Sequence, residues 1–393
     1  MMADINAWPM SLPWVERLVR YDTTSRRSNL ELIGLIHETV RDLDLEATLT
    51  HDASRGKANL FATVPASDGH PDGGTILSGH TDVVPVDGQP WDSDPFEPQV
   101  RDGRLYGRGT CDMKGFIGVV LALLPEMREA RLKRPIHLAF SFDEEVGCLG
   151  APLMIAEILR SGLKPGGCIV GEPSNMQPIV AHKGINIYRC CVTGHAAHSS
   201  LTPNGVNAIE YAARLICFIR DLMGEFRSKG PFDAFFDVPF TTGQTGQISG
   251  GNAINTVPAG CEFSFEYRTL PGVDPEAIFV KIQAYARDVL LPSMTAVSPQ
   301  ADIVFSRLAR APALQADEQA GLTRLVQALA RDTATRKVAY GTEAGLFASA
   351  HIPSIICGPG DIAQAHKANE YVELAQLSAC EDFLRGLVRN QSF

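Results

Sequence analysis

The sequence predicts an α/β protein with a mostly parallel sheet, interrupted by a smaller α+β insertion. Helical and strand periods alternate through the first half of the chain, the rhythm changes after Lys183, and the alternation then returns. The length, 393 residues, exceeds what one hydrophobic core usually fills, so two domains are expected.

Apolar spacing predicts helices over 12–20 and 30–43, the second capped by Ser28 or Asn29. Strands are predicted at 47–49, 60–64 and 75–78. Asp102-Gly103, between the β-favouring segments 98–101 and 104–106, signals a hairpin turn. A helix at 114–129, a strand at 136–142, a helix at 151–160 and a buried strand at 168–170 complete the first half. The insertion reads as a strand at 185–192, a helix at 204–226, strands at 247–249 and 261–268, a helix at 274–290 and a strand at 303–305. Beyond it, helices at 318–330, with Asp317 as cap, and 372–388 flank an apolar strand at 354–357. The expected organisation is a discontinuous catalytic domain over 1–184 and 300–393, with the insertion over 185–299.

Composition narrows the function. With 45% hydrophobic and 20% charged residues, the chain has the profile of a soluble globular enzyme. The net charge of -10 and the lack of any basic cluster beyond pairs such as Arg26-Arg27 argue against nucleic acid or an anionic membrane as partner. The acidity mildly suits a substrate bearing an amine. The longest apolar run, 116–124, is too short for a span and is broken by Gly118. The first residues, Met1 to Pro9, lack the features of a signal peptide, so a cytoplasmic location is expected. Nine cysteines without a C-x-x-C pair read as reduced thiols. Cys111, Cys148 and Cys357 fall near the candidate site but are expected to be small buried apolar residues.

Histidines and carboxylates recur at one kind of place. His80, Glu145, Glu172 and His366 each come after an apolar strand, and Asp112 follows a turn that opens a helix. In open α/β sheets ligands bind beyond the carboxyl ends of the strands, and such a gathering of nitrogen and oxygen donors suits a metal centre. Any one of these histidines alone is more commonly a satisfied or surface residue; the recurrence carries the argument. Two histidines and three carboxylates can serve two ions if one carboxylate bridges. Zinc fits the mixed set best, with cobalt or manganese acceptable. Asp82, two residues from His80, points to the same side of an extended segment and can accept the ring's other N–H. Of the neighbours Glu144 and Glu145, one can bind metal while the other stays free as a general base. A G-x-S-x-G elbow, a P-loop and a G-x-G-x-x-G fingerprint are all missing from the sequence.

Ser78-Gly79-His80-Thr81-Asp82-Val83-Val84-Pro85, Gly107-Arg108-Gly109-Thr110-Cys111-Asp112-Met113-Lys114-Gly115 and Asp143-Glu144-Glu145-Val146-Gly147 resemble the signatures of the dizinc metallopeptidase family, and the resemblance spans nearly the whole chain. It implies two zinc ions per subunit: His80 and Glu172 on one, Glu145 and His366 on the other, Asp112 bridging. It makes Glu144 the general base and Asp82 the residue that orients His80. In the insertion, Gly194-His195-Ala196-Ala197-His198-Ser199-Ser200 with Gly205-Val206-Asn207-Ala208 resembles the family's lid and dimerisation motif. There His198 would stabilise the oxyanion, often from the partner subunit of a homodimer, and His195 would be a surface side chain. Asn255 and Arg268 align with residues that bind the substrate carboxylate, a role that suits the planar fork of arginine. An ordinary strand-face salt bridge is the plainer alternative for Arg268.

The segments Gly341-Thr342-Glu343-Ala344-Gly345 and 357–370 are similar to the members of the family that deacetylate N2-acetyl-L-ornithine in arginine biosynthesis. On that likeness Glu343 pairs with a substrate ammonium or, equally, buttresses the metal loop. The implied activity is hydrolysis of a small N-acyl amino acid to the free amine and acetate. A desuccinylase-type relative, which needs a further cation, and a non-catalytic metal-stabilised binding protein, which needs neither Glu144 nor His198, are the alternatives.

Overall fold

Three strands rich in Ile, Leu, Val and Phe show no polar alternation, and each is covered on both faces. Thr75–His80, Ile136–Ser141 and Gly167–Pro173 are buried at every position, as expected of parallel strands flanked by helices. The structure, a computed structural model, describes residues 8–393. It folds as two units, one comprising residues up to Ala181 with Leu314–Lys337 and Thr342–Phe393, the other His182–Ala313 with Val338–Gly341.

The first unit carries a six-stranded sheet in the order Ala47–His51, Ala58–Val64, Ile136–Ser141, Thr75–His80, Gly167–Pro173, Ser354–Gly358. Pairing is antiparallel on both sides of Ala58–Val64 and parallel among the other four strands. Those four therefore deliver their carboxyl ends to one edge. Behind them the helix Lys114–Glu129 is apolar on nearly all sides and packs against Leu12–Val19 and Leu374–Asn390. Glycine permits this approach at Gly118, where a Cβ would stand 2.5 Å from Val15. The same helix presses Phe116 onto Gly171, whose missing Cβ would lie 2.0 Å from the ring.

The hairpin forms where Asp102-Gly103 foretells it, with φ of +48° and +74° at the two turn residues. Its strand Arg104–Tyr106 also pairs with Tyr371–Glu373, so the last helix starts at Leu374 rather than at 372. Asp317 does not cap the following helix directly. Its carboxylate accepts the Gln319 N–H at 2.8 Å, and the helix begins at Gly321.

In the second unit four antiparallel strands run in the order Thr242–Gly250, Gly260–Thr269, Gly184–Thr193, Asp302–Ala311. Cys261, Phe263, Phe265 and Tyr267 alternate inward and share a core with the helices Ala208–Lys229 and Pro275–Tyr285. The longer helix starts at Ala208, not 204, because the Asn207 side chain accepts the N–H groups of Ile209 and Glu210 at 3.1 and 3.3 Å. This unit continues past residue 299, where the sequence suggested its end, because Asp302–Ala311 pairs along its length with Gly184–Thr193. Among the described residues no helix is long and apolar enough to cross a membrane.

Candidate metal centre

His80 ends the strand Thr75–His80, Glu172 lies in Gly167–Pro173, and Glu145 follows Ile136–Ser141. Asp112 sits just ahead of the helix Lys114–Glu129, and His366 follows Ser354–Gly358 after a short turn. The fold brings all five together as two trios, His80/Asp112/Glu172 and Asp112/Glu145/His366, with donor atoms inside 4.8 Å of one another in each. Asp112 belongs to both and divides its oxygens. Oδ1 is 2.9 Å from His80 Nε2, while Oδ2 is 3.2 Å from His366 Nε2. Glu172 Oε1 lies 3.7 Å from His80 Nε2, and Glu145 Oε2 lies 3.0 Å from His366 Nε2.

Charge in this cluster is unbalanced. Burial raises Glu172 well above the ordinary carboxylate range, Glu145 to about 7 and Glu144 to about 8. Burial pushes Asp112 the same way, but hydrogen bonds with His366 and His80 outweigh it and hold this carboxylate below its usual range. Hydrogen bonds to Asp112 and Glu145 lift His366 to about 11. Four carboxylates facing two imidazoles cannot all stay ionised in a place with little water unless protons or cations neutralise them. Nitrogen and oxygen donors on two sides of one shared carboxylate fit a pair of divalent metal ions.

Asp82 is 2% exposed and acts mainly on the turn beside it. Its Oδ1 accepts the Glu144 N–H at 3.0 Å, and its Oδ2 accepts the Ser25 hydroxyl at 2.7 Å and the Glu145 N–H at 3.3 Å. The His80 Nδ1 lies closest to the backbone carbonyl of Asp82, at 2.8 Å, and 3.5 Å from the carboxylate. The ring thus meets the carbonyl at hydrogen-bond distance and, more loosely, the carboxylate to which the sequence assigned it. Glu144 stands outside both trios, is 8% exposed, and accepts a contact from the Cys148 thiol at 3.3 Å. Burial pushes the Cys111 and Cys148 thiols well up, so neither is an activated nucleophile.

Residues 76–390 match the profile of peptidase family M20/M25/M40. The chain belongs to that family. It is 33% identical over 365 residues to the acetylornithine deacetylase of Pasteurella multocida (strain Pm70), covering 92% of this chain and 91% of the relative. In fold it matches the crystal structure of an M20 family metallo-carboxypeptidase from Sulfolobus solfataricus, with a TM-score of 0.75, 16% identity, and 96% and 98% of the two chains covered. A dinuclear metal-binding peptidase of the M20 family from Bacillus subtilis matches with a TM-score of 0.64 and 14% identity, over 96% and 97% of the two chains. At these identities the two structures speak to fold alone.

The remaining site candidates of this M20-family chain fall in different places. Glu343 is 1% exposed, and its two oxygens accept the hydroxyls of Ser78 and Ser141 at 2.5 and 2.7 Å. Both oxygens are engaged by the strands that lead to His80 and Glu145, which favours the buttress over the partner for a substrate ammonium. In the second unit His198 and Asn255 are exposed and adjacent, joined by the His198–Thr256 bridge and the Ser199 N–H to Asn255 carbonyl bond at 3.0 Å. Arg268 is not with them. It lies near the far end of Gly260–Thr269, about 26 Å along the strand from Gly260, and its guanidinium pairs with Glu266 at 2.9 Å.

Glu370, at the end of the segment 357–370, has a role that nothing in its local sequence assigned. Glu370 is 1% exposed, and its Oε1 accepts the backbone N–H groups of Gly109, Cys111 and Asp112 at 2.9 to 3.0 Å. The only local hint was an acidic residue four positions after His366.

Proposed function

We propose that this chain is a metal-dependent amidohydrolase that converts N2-acetyl-L-ornithine to L-ornithine and acetate, a step of arginine biosynthesis. The observation that carries the reading is the pair of trios sharing Asp112, with the buried carboxylate of Glu144 outside both and near His80, Glu145 and Asp112. The acetylornithine deacetylase similarity over most of the chain supports the choice of substrate. Zinc in both places, with cobalt or manganese as substitutes, fits the His/carboxylate donor set. His80, Asp112 and Glu172 would hold one ion, and Asp112, Glu145 and His366 the other. Bound there, the ions would supply Lewis-acid polarisation of the acyl carbonyl and a water of lowered pKa.

The chain's own residues then manage protons and position. Glu144 takes a proton from the attacking water as the new C–O bond forms at the acetyl carbon. It returns that proton to the amide nitrogen as the C–N bond breaks, which releases acetate and the free amine. Burial raises this carboxylate to about 8 in the metal-free centre; cations beside it would favour its ionised form, the form that accepts the proton. Asp82 fixes the donor's position through the Glu144 N–H. His198 stabilises the oxyanion, and Asn255 and Arg268 hold the substrate carboxylate.

The separation of Arg268 from the His198–Asn255 pair exceeds the length of an acetylated amino acid, so one copy of the second unit cannot apply both to one substrate. A homodimer in which the partner copy supplies His198 and Asn255 removes the conflict. A cytoplasmic setting agrees with nine free thiols. The test is a hydrolysis panel with N-acetylornithine, N-succinyl-diaminopimelate and N-acetylmethionine, with and without chelator and added zinc. Chelator-sensitive turnover fastest on N-acetylornithine is expected. No chelator-sensitive turnover of any substrate would sink the assignment.

A further inference from the structure

His366 belongs to no helix or strand, its side chain is 52% exposed, and its backbone holds φ of +64°. A residue other than glycine needs outside support to stay in that left-handed region. The support comes from a loop far away in sequence. Gln89 donates its Nε2 to the His366 carbonyl at 2.9 Å. Its Oε1 accepts from Arg108 Nη2 at 2.6 Å and from the Trp91 indole at 3.1 Å. Two donors on that oxygen fix the orientation of the amide, since the flipped form would face them with an NH2 group. Arg108, 1% exposed, stacks over Trp91 and binds Glu370 Oε2 at 2.5 Å through Nη1. Glu370 in turn holds the N–H groups of Gly109, Cys111 and Asp112. A second tie runs parallel, between Asn369 and both the N–H and the carboxylate of Asp92, at 2.9 and 3.0 Å.

We infer that Gln89, Arg108 and Glu370 form a positioning chain that sets the spacing between the bridging Asp112 and His366, and hence whether the second trio can close on an ion. This rests on the two-trio reading of the centre. Neither Gln89 nor Glu370 belongs to a trio, and each acts only through the backbone of a ligand. Asp112 is gripped at its N–H by Glu370, and His366 at its carbonyl by Gln89, with Arg108 joining the two grips. The first trio shares only the Asp112 end of the chain. Loss of Gln89 should therefore fall on one site, and loss of Glu370 on both.

Stepwise titration of the metal-free full-length protein with Co2+, followed by visible absorption and calorimetry, tests this. The variants His366→Ala and Glu172→Ala, each leaving one trio intact, show which binding step belongs to which trio. Gln89→Met keeps the side-chain length and removes its hydrogen bonds. It is expected to weaken the His366 step about tenfold or more and to leave the other step within about twofold. Its metal-free Tm is expected to fall by about 2–4 °C, because Arg108 and Trp91 lose an acceptor; a loss confined to one binding step is what a merely structural role would not produce. Glu370→Gln, where it folds, is expected to weaken both steps. Unaltered affinity in both steps of Gln89→Met, or equal loss in both, would overturn the inference while leaving the two-trio centre standing. An unaltered protein that binds fewer than two Co2+ ions would overturn the centre and the inference with it.

Discussion

Glu144 and Glu145 are adjacent, and the turn that begins at Asp143, with φ of +54°, sends their side chains to different tasks. Glu145 reaches His366, whereas Glu144 stays outside the trios, its N–H fixed by Asp82. Glu144→Ala is therefore expected to keep both metal ions and to lose about two to four orders of magnitude in kcat. Elemental analysis beside a deacetylation assay checks this, and loss of metal would mean that the two glutamates had been exchanged. Glu343 makes a different kind of claim, since Ser78 and Ser141 occupy both of its oxygens. Glu343→Ala would take the near acceptor from two buried hydroxyls, leaving Ser78 only the Ala139 carbonyl at 3.4 Å, and is expected to cost about 1–3 kcal/mol in denaturant unfolding. The kcat/KM preference for N-acetylornithine over N-acetylmethionine should stay as it was in Glu343→Gln. A collapsed preference would restore the ammonium-binding role.

At the scale of elements, the strands are aligned by what lies behind them. Gly171 precedes Glu172 and sits under Phe116 of the central helix, so even a methyl group must displace the strand or the ring. Gly171→Ala is expected to destabilise the first unit by about 1–3 kcal/mol and to weaken metal binding through Glu172, read by thermal melting with and without zinc. Wild-type melting and metal affinity together would show that the helix yields freely. This layer of the fold was legible in the sequence, because apolar runs ending in Gly-His or Gly-Glu mark both a buried strand and its exit. The gathering of His80 and Glu172 was legible for the same reason, and that of Glu145 and His366 because each follows another such strand, whereas Asp112 was placed by the turn that opens a helix. What stayed hidden depends on partners far apart in the chain. Nothing near Glu370 announces that it will clamp residues 109–112. The seam at 299 was misplaced because β-pairing of Asp302–Ala311 with Gly184–Thr193 is a long-range choice. The pairing of Arg268 with Glu266, by contrast, is a same-face contact two residues apart, of the strand-face kind that stood as the plainer alternative.

At the scale of the whole molecule, the question is which copy of the chain completes which centre. His198 and Asn255 lie together beyond one end of the second unit's sheet, and Arg268 lies near the other. A substrate carboxylate cannot span that distance, so the proposed dimer assigns His198 and Asn255 to the partner of the subunit whose metals are engaged. The assignment separates two variants that are each inactive alone. Glu144→Ala removes the base from its own centre but still offers an intact His198. His198→Ala keeps an intact centre but has no oxyanion donor to offer. Coexpressed in equal amounts, the two chains pair at random, half of the dimers are mixed, and each mixed dimer regains one of its two centres. Activity is then expected at about a quarter of the unaltered enzyme, by the counting that C2 symmetry imposes. The expected signature is recovery in kcat, with KM for N-acetylornithine unchanged, because the restored centre is complete. If His198 served its own chain, no mixed dimer would hold a whole site, and the mixture would stay as inactive as its parts.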